Sequence, residues 1–69
     1  MTTVTLNGER RALPEPATVV AAVQASGAPQ DGRGVAVAVD GLVVPRGAWK
    51  ATELREGQHV EVLQAVQGG

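Results

Sequence analysis

The sequence predicts an α+β fold in which one sheet of four to five strands is covered on one face by a single helix. Aliphatic segments of strand length recur along the chain, and two Asx-Gly dipeptides separate pairs of them. One stretch alone has the apolar spacing of a helix. Because the 69 residues contain no repeat or linker, residues 1–69 are predicted to form a single domain.

The N-terminal segment is predicted to form a β-hairpin. Residues 2–6 alternate polar and apolar side chains, which is typical of a half-buried strand. Asn7 and Gly8 follow, and both residue types tolerate the positive φ that a type I′ turn requires. Residues 9–13 form the returning strand, which ends before Pro14 because proline has no N–H to donate to a strand ladder.

The single helix is predicted over residues 19–26. Its apolar side chains fall on one stripe, made of Val19, Val20, Ala22 and Val23. The hydroxyl of Thr18 is expected to cap the first turn, and Gly27 is a natural residue to end the helix. Because valine lowers helix propensity, the helix is expected to depend on packing of this stripe against the sheet.

The second half of the chain predicts three more strands. The elements are a loop over 28–34, a strand over 35–39, a turn at Asp40-Gly41, a strand over 42–44, a 3₁₀ turn within 46–54 and a strand over 58–66. The run over 35–39 alternates valine and alanine, so both of its faces are expected to be partly covered.

The composition excludes several kinds of site. Without Cys, and with His59 as the single histidine, the chain has no thiolate zinc site, cysteine nucleophile or multi-histidine metal site. One aromatic residue and six basic against seven acidic residues argue against a nucleic-acid partner. The apolar runs are too short to span a bilayer, and the N-terminus does not resemble a signal peptide. We therefore expect a cytoplasmic protein with no metal, no catalytic side chains and no membrane partner.

The C-terminal residues are the chemically distinctive part of the sequence. Residues 62–69 contain no charged side chain, and Gly68 and Gly69 lack a Cβ, so a flexible tail over 67–69 is narrow enough to enter a confined channel. Its reactive group is the α-carboxylate of Gly69, which becomes a good electrophile when it is activated as an acyl adenylate. Taken alone, the two glycines fit an ordinary frayed terminus better.

Three segments of the chain match the pattern of a known family. The middle segment, residues 37–49, reads VAVDGLVVPRGAW, which combines an aliphatic run, a tight turn, Val-Pro-Arg and a Trp. The last segment, residues 54–69, has a Glu-Gly turn, an aliphatic strand and the terminal Gly-Gly, and the opening TLNGE over 5–9 is also similar. The chain therefore resembles the ThiS family, the sulfur carriers of thiamine thiazole synthesis. Gln67 departs from the small residue that is common before the Gly-Gly and makes the tail bulkier.

The resemblance implies a β-grasp, ubiquitin-like fold with a mixed sheet, and a chain that is a protein cosubstrate and not an enzyme. An E1-like adenylyltransferase of the ThiF type would use ATP and Mg²⁺ to adenylate the Gly69 carboxylate, so these cofactors belong to that enzyme. A cysteine desulfurase or another persulfide donor would then convert Gly69 to a thiocarboxylate. A thiazole synthase of the ThiG type would receive the sulfur. Gly68, which has no side chain, would keep the tail narrow where it approaches the partner's site.

Four residues are candidates for contact with these partners: Leu63, Ala65, Arg46 and Trp49. If the valines of the last strand pack under the helix, Leu63 and Ala65 are apolar residues on the open sheet face, which marks a docking surface. Alternatively, the loop around Trp49 covers them. Arg46 pairs with a partner carboxylate or is an ordinary surface charge, and Trp49 is expected to anchor the core or its rim.

Three other functions fit parts of the sequence. They are a MoaD-like sulfur carrier for molybdopterin or another product, a ubiquitin-like modifier that conjugates through Gly69, and a β-grasp adaptor with an incidental Gly-Gly. The short length and the Val-Pro-Arg-x-x-Trp motif favour the thiamine branch. Lys50, the only lysine, gives no basis for a ubiquitin-like chain linkage.

Overall fold

The computed structural model of the chain describes residues 1–29 and 32–65. Its elements follow the predicted order: β1 Thr2–Leu6, β2 Glu9–Leu13, α1 Val19–Ala25, β3 Val35–Val39, β4 Leu42–Val44, a 3₁₀ turn at Arg46–Ala48 and β5 His59–Gln64. The five strands form one mixed sheet with the order β2-β1-β5-β3-β4. The predicted architecture of one sheet and one helix is confirmed.

The sheet is built from two hairpins that flank the last strand. β1 pairs with β2 and β3 pairs with β4, both antiparallel. The C-terminal strand β5 lies between them, antiparallel to β3 and parallel to β1. Its parallel pairing is short, with Thr5 opposite His59 and Leu6 opposite Val60. The strand that leads to the C-terminus is therefore the central strand of the sheet.

Both predicted Asx-Gly turns are present. Asn7 and Gly8 have φ of 49° and 85°, and Asp40 and Gly41 have φ of 48° and 84°. These are the left-handed conformations that a type I′ turn needs at its two central positions. Both dipeptides therefore form the predicted turns, and these two-residue turns set the register of the two hairpins.

The hydrophobic core lies between α1 and one face of the sheet. The helix buries Val19, Ala22 and Val23, which confirms the predicted stripe, and Val20 packs against it as a partly buried residue. The other core residues come from the strands and the connecting segments: Val4, Leu6, Leu13, Ala17, Val37, Val39, Trp49, Leu54, Val60 and Val62. Aliphatic side chains therefore supply almost the whole core.

Three expectations at the ends of elements are wrong in detail. The Thr18 hydroxyl makes no capping hydrogen bond. One N–H of the first turn, that of Val19, instead donates to the carbonyl oxygen of Thr52 at 3.0 Å, because the chain near Thr52 runs beside the start of the helix. The helix ends at Ala25, one residue early, and the last strand is shorter than predicted because Gln58 belongs to the preceding turn.

Candidate functional site

The last strand carries the chain from the core to the predicted sulfur-bearing end. In β5 the side chains of Val60 and Val62 are buried, whereas Leu63 is 64% exposed. The Ala65 N–H donates to the Gly34 carbonyl oxygen at 2.7 Å, so the backbone is held by the sheet as far as that residue. The tail-access and sulfur-carrying residues predicted above, Gln67, Gly68 and Gly69, lie outside the described residues.

The sheet has an open apolar face on the side away from α1. Val37 pairs with Val62 and both are buried, so the alternating pairs Ala36–Leu63 and Ala38–Val43 point the other way. With Ala65 beyond them, these apolar side chains form what we call the open face: Ala36, Ala38, Val43, Leu63 and Ala65. The exposed carboxylate Glu61 pairs with Ala38 and lies beside them on the same side of the sheet. Val43 is 76% exposed, which leaves this face without a cover among the described residues.

Trp49 is a core anchor and lies away from the open face. Its indole is only 6% exposed, and its Nε1–H donates to the carbonyl oxygen of Val44 at 2.9 Å. The ring packs so closely on Gly32 that a Cβ built there would lie 2.9 Å from Trp49 Cζ3. The alternative in which the loop around Trp49 covers Leu63 is therefore wrong.

Arg46 lies with Trp49 beside the helix and not with the open-face residues. A cavity of about 310 Å³ opens between α1 and this segment, lined by Val20, Val23, Gln24, Arg46, Gly47, Trp49 and Lys50. The Arg46 side chain is exposed at its rim and also borders Gly32. The structure therefore separates the four docking candidates: Leu63 and Ala65 lie on the open face, whereas Arg46 lies at the rim of the cavity and Trp49 is buried beside it.

The side chain of Asn7, a residue predicted only to form a turn, contacts β5, the strand that leads to the C-terminal tail. The Nδ2–H of Asn7 donates to the carbonyl oxygen of Val62 at 3.2 Å, and Asn7 Oδ1 accepts the Val62 N–H at 2.8 Å. A type I′ turn accepts Asn, Asp or Gly at this position, so the turn alone does not require an amide side chain. Because Asn-Gly is also a preferred dipeptide of type I′ turns, no local sequence signal indicates this second role.

The other Asx-Gly turn holds the opposite end of the same strand. Asp40 Oδ1 accepts the His59 N–H at 2.9 Å, and Oδ2 accepts an N–H from the Gln58 side chain at 3.1 Å. The backbone hydrogen bond from His59, followed by that from Gln58, lowers the pKa of Asp40 below its ordinary value of 3.8. Asp40 and Asn7 thus fix the beginning and the later part of β5.

Two further observations concern only the described part of the chain. Residues 1–29 and 32–65 contain no cluster of three or more His, Cys, Asp or Glu side chains placed to hold a metal ion. Within the same residues, no helix combines the length and the apolar character needed to cross a membrane.

Comparison with known proteins identifies the family. The sequence profile of the ThiS family matches residues 4–69. The chain belongs to the ThiS family. A solved structure that is similar to this ThiS family member is the crystal structure of the thiamine biosynthesis protein ThiS from Geobacter metallireducens, with a TM-score of 0.74 and 28% sequence identity over 99% of this chain and 100% of that one. No curated protein matches the chain.

The family and the similar structure bear on both fold and role. The mixed five-stranded sheet with one helix is the β-grasp arrangement of the ThiS neighbour, so the predicted fold is confirmed. Both comparisons support a sulfur-carrier role in thiamine biosynthesis. Within this ThiS family member, the middle motif contributes to the fold: its turn residue Asp40 holds the start of β5, and its Trp49 closes the core.

Proposed function

We propose that this chain is a sulfur carrier whose Gly69 carboxylate is converted to a thiocarboxylate that supplies sulfur for thiamine thiazole formation. The observation that carries the proposal is the extent of the family match, which runs to residue 69 and so includes the Gly68-Gly69 pair. The similarity to a thiamine biosynthesis protein over nearly the whole chain supports the thiamine branch.

The proposed chemistry takes place at the backbone terminus. An oxygen of the Gly69 carboxylate attacks the α-phosphorus of ATP, pyrophosphate leaves, and an acyl adenylate forms. The terminal sulfur of a persulfide then attacks the acyl carbon, and the carbon–oxygen bond to AMP breaks. A thiol reduces the S–S bond of the resulting acyl persulfide, which leaves the thiocarboxylate on Gly69 and a disulfide on the donor. The chain itself is a cosubstrate, because ATP and Mg²⁺ belong to an activating enzyme of the ThiF type.

Delivery of the terminus requires binding energy from the folded body. Fixing the backbone of each tail residue costs about 1–2 kcal/mol of conformational entropy, so a tail of several residues needs an offsetting contact elsewhere. The open face is the surface that suits this purpose, because exposed apolar patches mark interaction sites and Leu63 lies only six residues before Gly69. We propose that the activating enzyme, and then a ThiG-type thiazole synthase, dock on this face.

Reconstitution tests the proposal in two stages. The chain is incubated with ATP, Mg²⁺ and a ThiF-type enzyme, and pyrophosphate release that depends on the chain is measured. A matched variant that ends at residue 68 retains every described residue, so it should fold normally but no longer carry Gly69. We expect release with the full chain and its loss with the shorter one. Equal release by both would place the chemistry elsewhere.

The second stage separates the thiamine role from other products. A desulfurase, cysteine and a ThiG-type thiazole synthase with its remaining substrates are added, and thiazole formation is measured. Thiazole that depends on Gly69 supports the proposal. A charged carrier that gives no thiazole with an active synthase would instead favour a MoaD-like role, and lysine-linked adducts would indicate a protein modifier.

A further inference from the structure

Asn7 lies where the parallel pairing between β1 and β5 stops. Its N–H donates to the Val60 carbonyl oxygen at 2.9 Å, which continues the parallel ladder by one hydrogen bond. Its φ of 49° then turns the chain away toward β2. In a continuing parallel strand the next acceptor would be the backbone carbonyl of the same residue, and the turn removes that carbonyl from the ladder.

The carboxamide of Asn7 takes the place of the missing strand. Its Oδ1 accepts the Val62 N–H at 2.8 Å, and its Nδ2–H donates to the Val62 carbonyl oxygen at 3.2 Å. One side chain thus satisfies both backbone groups of a residue that is only 7% exposed. The paired donor and acceptor are specific to an amide, because an ionised Asp has no hydrogen to donate.

Among the described residues, the contact between Asn7 and Val62 is the last one that holds β5 on the edge that faces β1. On its other edge, β5 pairs with β3 through Val35 opposite Gln64, and the Ala65 N–H reaches Gly34. On the β1 edge, the paired residues end at Leu6 and Val60, and Asn7 adds Val62. Without the carboxamide, the segment from Val62 to Ala65, which directly precedes the C-terminal residues, would be held by hydrogen bonds on its β3 edge alone.

We propose that Asn7 is a positioning residue for the sulfur-carrying terminus. Its carboxamide fixes the end of β5 so that the following residues start from a defined position when the activating enzyme has bound the folded body. The inference rests on the proposed function, because it concerns presentation of the Gly69 carboxylate to ATP. Since docking uses the open face and positioning acts after docking, loss of the carboxamide lowers kcat for adenylation and leaves KM for the carrier nearly unchanged.

The test uses a matched pair of variants. Asn7→Gly and Asp40→Gly each remove an Asx side chain from a type I′ turn, and glycine tolerates the positive φ at both positions. Each variant loses side-chain hydrogen bonds to the β5 backbone, at Val62 in the first case and at His59 in the second. For Asn7→Gly we expect kcat for adenylation to fall about tenfold with KM within about twofold, whereas Asp40→Gly keeps the kcat of the unmodified protein.

A third variant tests whether a side chain of similar shape restores part of the kcat for adenylation. Asn7→Asp keeps the acceptor for the Val62 N–H and lacks the donor at neutral pH, so its kcat should lie between that of the unmodified protein and that of Asn7→Gly. If Asn7→Gly does not fold at the assay temperature, the comparison of Asn7→Asp with Asp40→Asn takes its place, with a reduced kcat expected for the first only. Far-ultraviolet circular dichroism establishes the fold of each variant.

The outcomes separate this inference from the function on which it rests. If the unmodified chain is not adenylated, the proposed function fails. If it is adenylated and Asn7→Gly has the same kcat, or if Asp40→Gly loses as much kcat, Asn7 has no positioning role beyond general stability. A rise in KM alone would also overturn the inference, because it would make Asn7 part of the docking surface.

Discussion

Truncation of Leu63 to Ala is expected to weaken binding of the activating enzyme without weakening the fold. Leu63 is the large apolar side chain of β5 on the open face, and it is 64% exposed in the free protein. It contributes little to the core, so Leu63→Ala should change the free energy of unfolding by no more than about 0.5 kcal/mol, as is usual for surface substitutions.

The size of the binding effect follows from this exposure. Full burial of a leucine side chain stabilises by about 1.5–3 kcal/mol. Because 64% of Leu63 is exposed, a partner that covers it completely gains about 1–2 kcal/mol from this side chain. A free-energy difference of 1.4 kcal/mol corresponds to a factor of ten, so KM for the carrier in adenylation should rise about 5- to 30-fold. The kcat should stay within about twofold, because the terminus is unchanged.

Leu42→Ala is the matched control. Leu42 is 75% exposed but pairs with Val39, so it lies on the face of the sheet that carries the helix. The measurement is pyrophosphate release at a series of carrier concentrations, with unfolding by urea recorded for each variant. An unchanged KM for Leu63→Ala, or an equal rise in KM for Leu42→Ala, would refute docking on the open face.

Two further predictions concern the fold that supports the site. Gly32→Ala should lower the free energy of unfolding by about 2–4 kcal/mol, because φ is +71° at this position and the new Cβ would lie 2.9 Å from Trp49 Cζ3. Gly41→Ala is the matched control, with φ of +84° and no atom within 4 Å of the new Cβ, and should lower it by only about 1–2 kcal/mol. Urea unfolding followed by Trp49 fluorescence measures both changes. Equal losses of stability would contradict the prediction, because they would show that the loop at Gly32 moves to make room for the added Cβ. Because the hydrogen bonds from His59 and Gln58 lower the pKa of Asp40, the ionised side chain contributes stability above pH 3.8 that is lost as the pH falls through and below that value. Asp40→Asn should remove this part of the acid sensitivity in urea titrations at a series of pH values, and an unchanged pH dependence would contradict the assignment.

Local sequence signals predicted most of the fold. The Asx-Gly dipeptides at Asn7 and Asp40 act through backbone conformation alone, so both hairpins could be placed without knowledge of the rest of the chain. The helix stripe and the alternating strands likewise follow from spacing. The predicted open face also depends on spacing, since Leu63 and Val62 must point to opposite sides of a strand.

Contacts between distant segments account for what the sequence did not predict. The Thr18 hydroxyl makes no cap, and the Val19 N–H instead finds the Thr52 carbonyl, which reaches the helix only because the chain returns beside it. The carboxamide of Asn7 is hydrogen-bonded to Val62, which is 55 residues away in the sequence, and no local pattern predicts that contact. The separation of Trp49 from the open face also depends on how a loop packs, since either side of the sheet was compatible with its sequence.

Top-down mass spectrometry of the activated chain tests the central claim most directly. The protein is incubated with ATP, Mg²⁺, a ThiF-type enzyme, a desulfurase and cysteine, and the intact chain is fragmented in the spectrometer. We predict a gain equal to the replacement of one oxygen by one sulfur, and fragments that assign the gain to Gly69. An unchanged mass with an enzyme set that charges another ThiS family member, or a sulfur located at any other residue, would contradict the account.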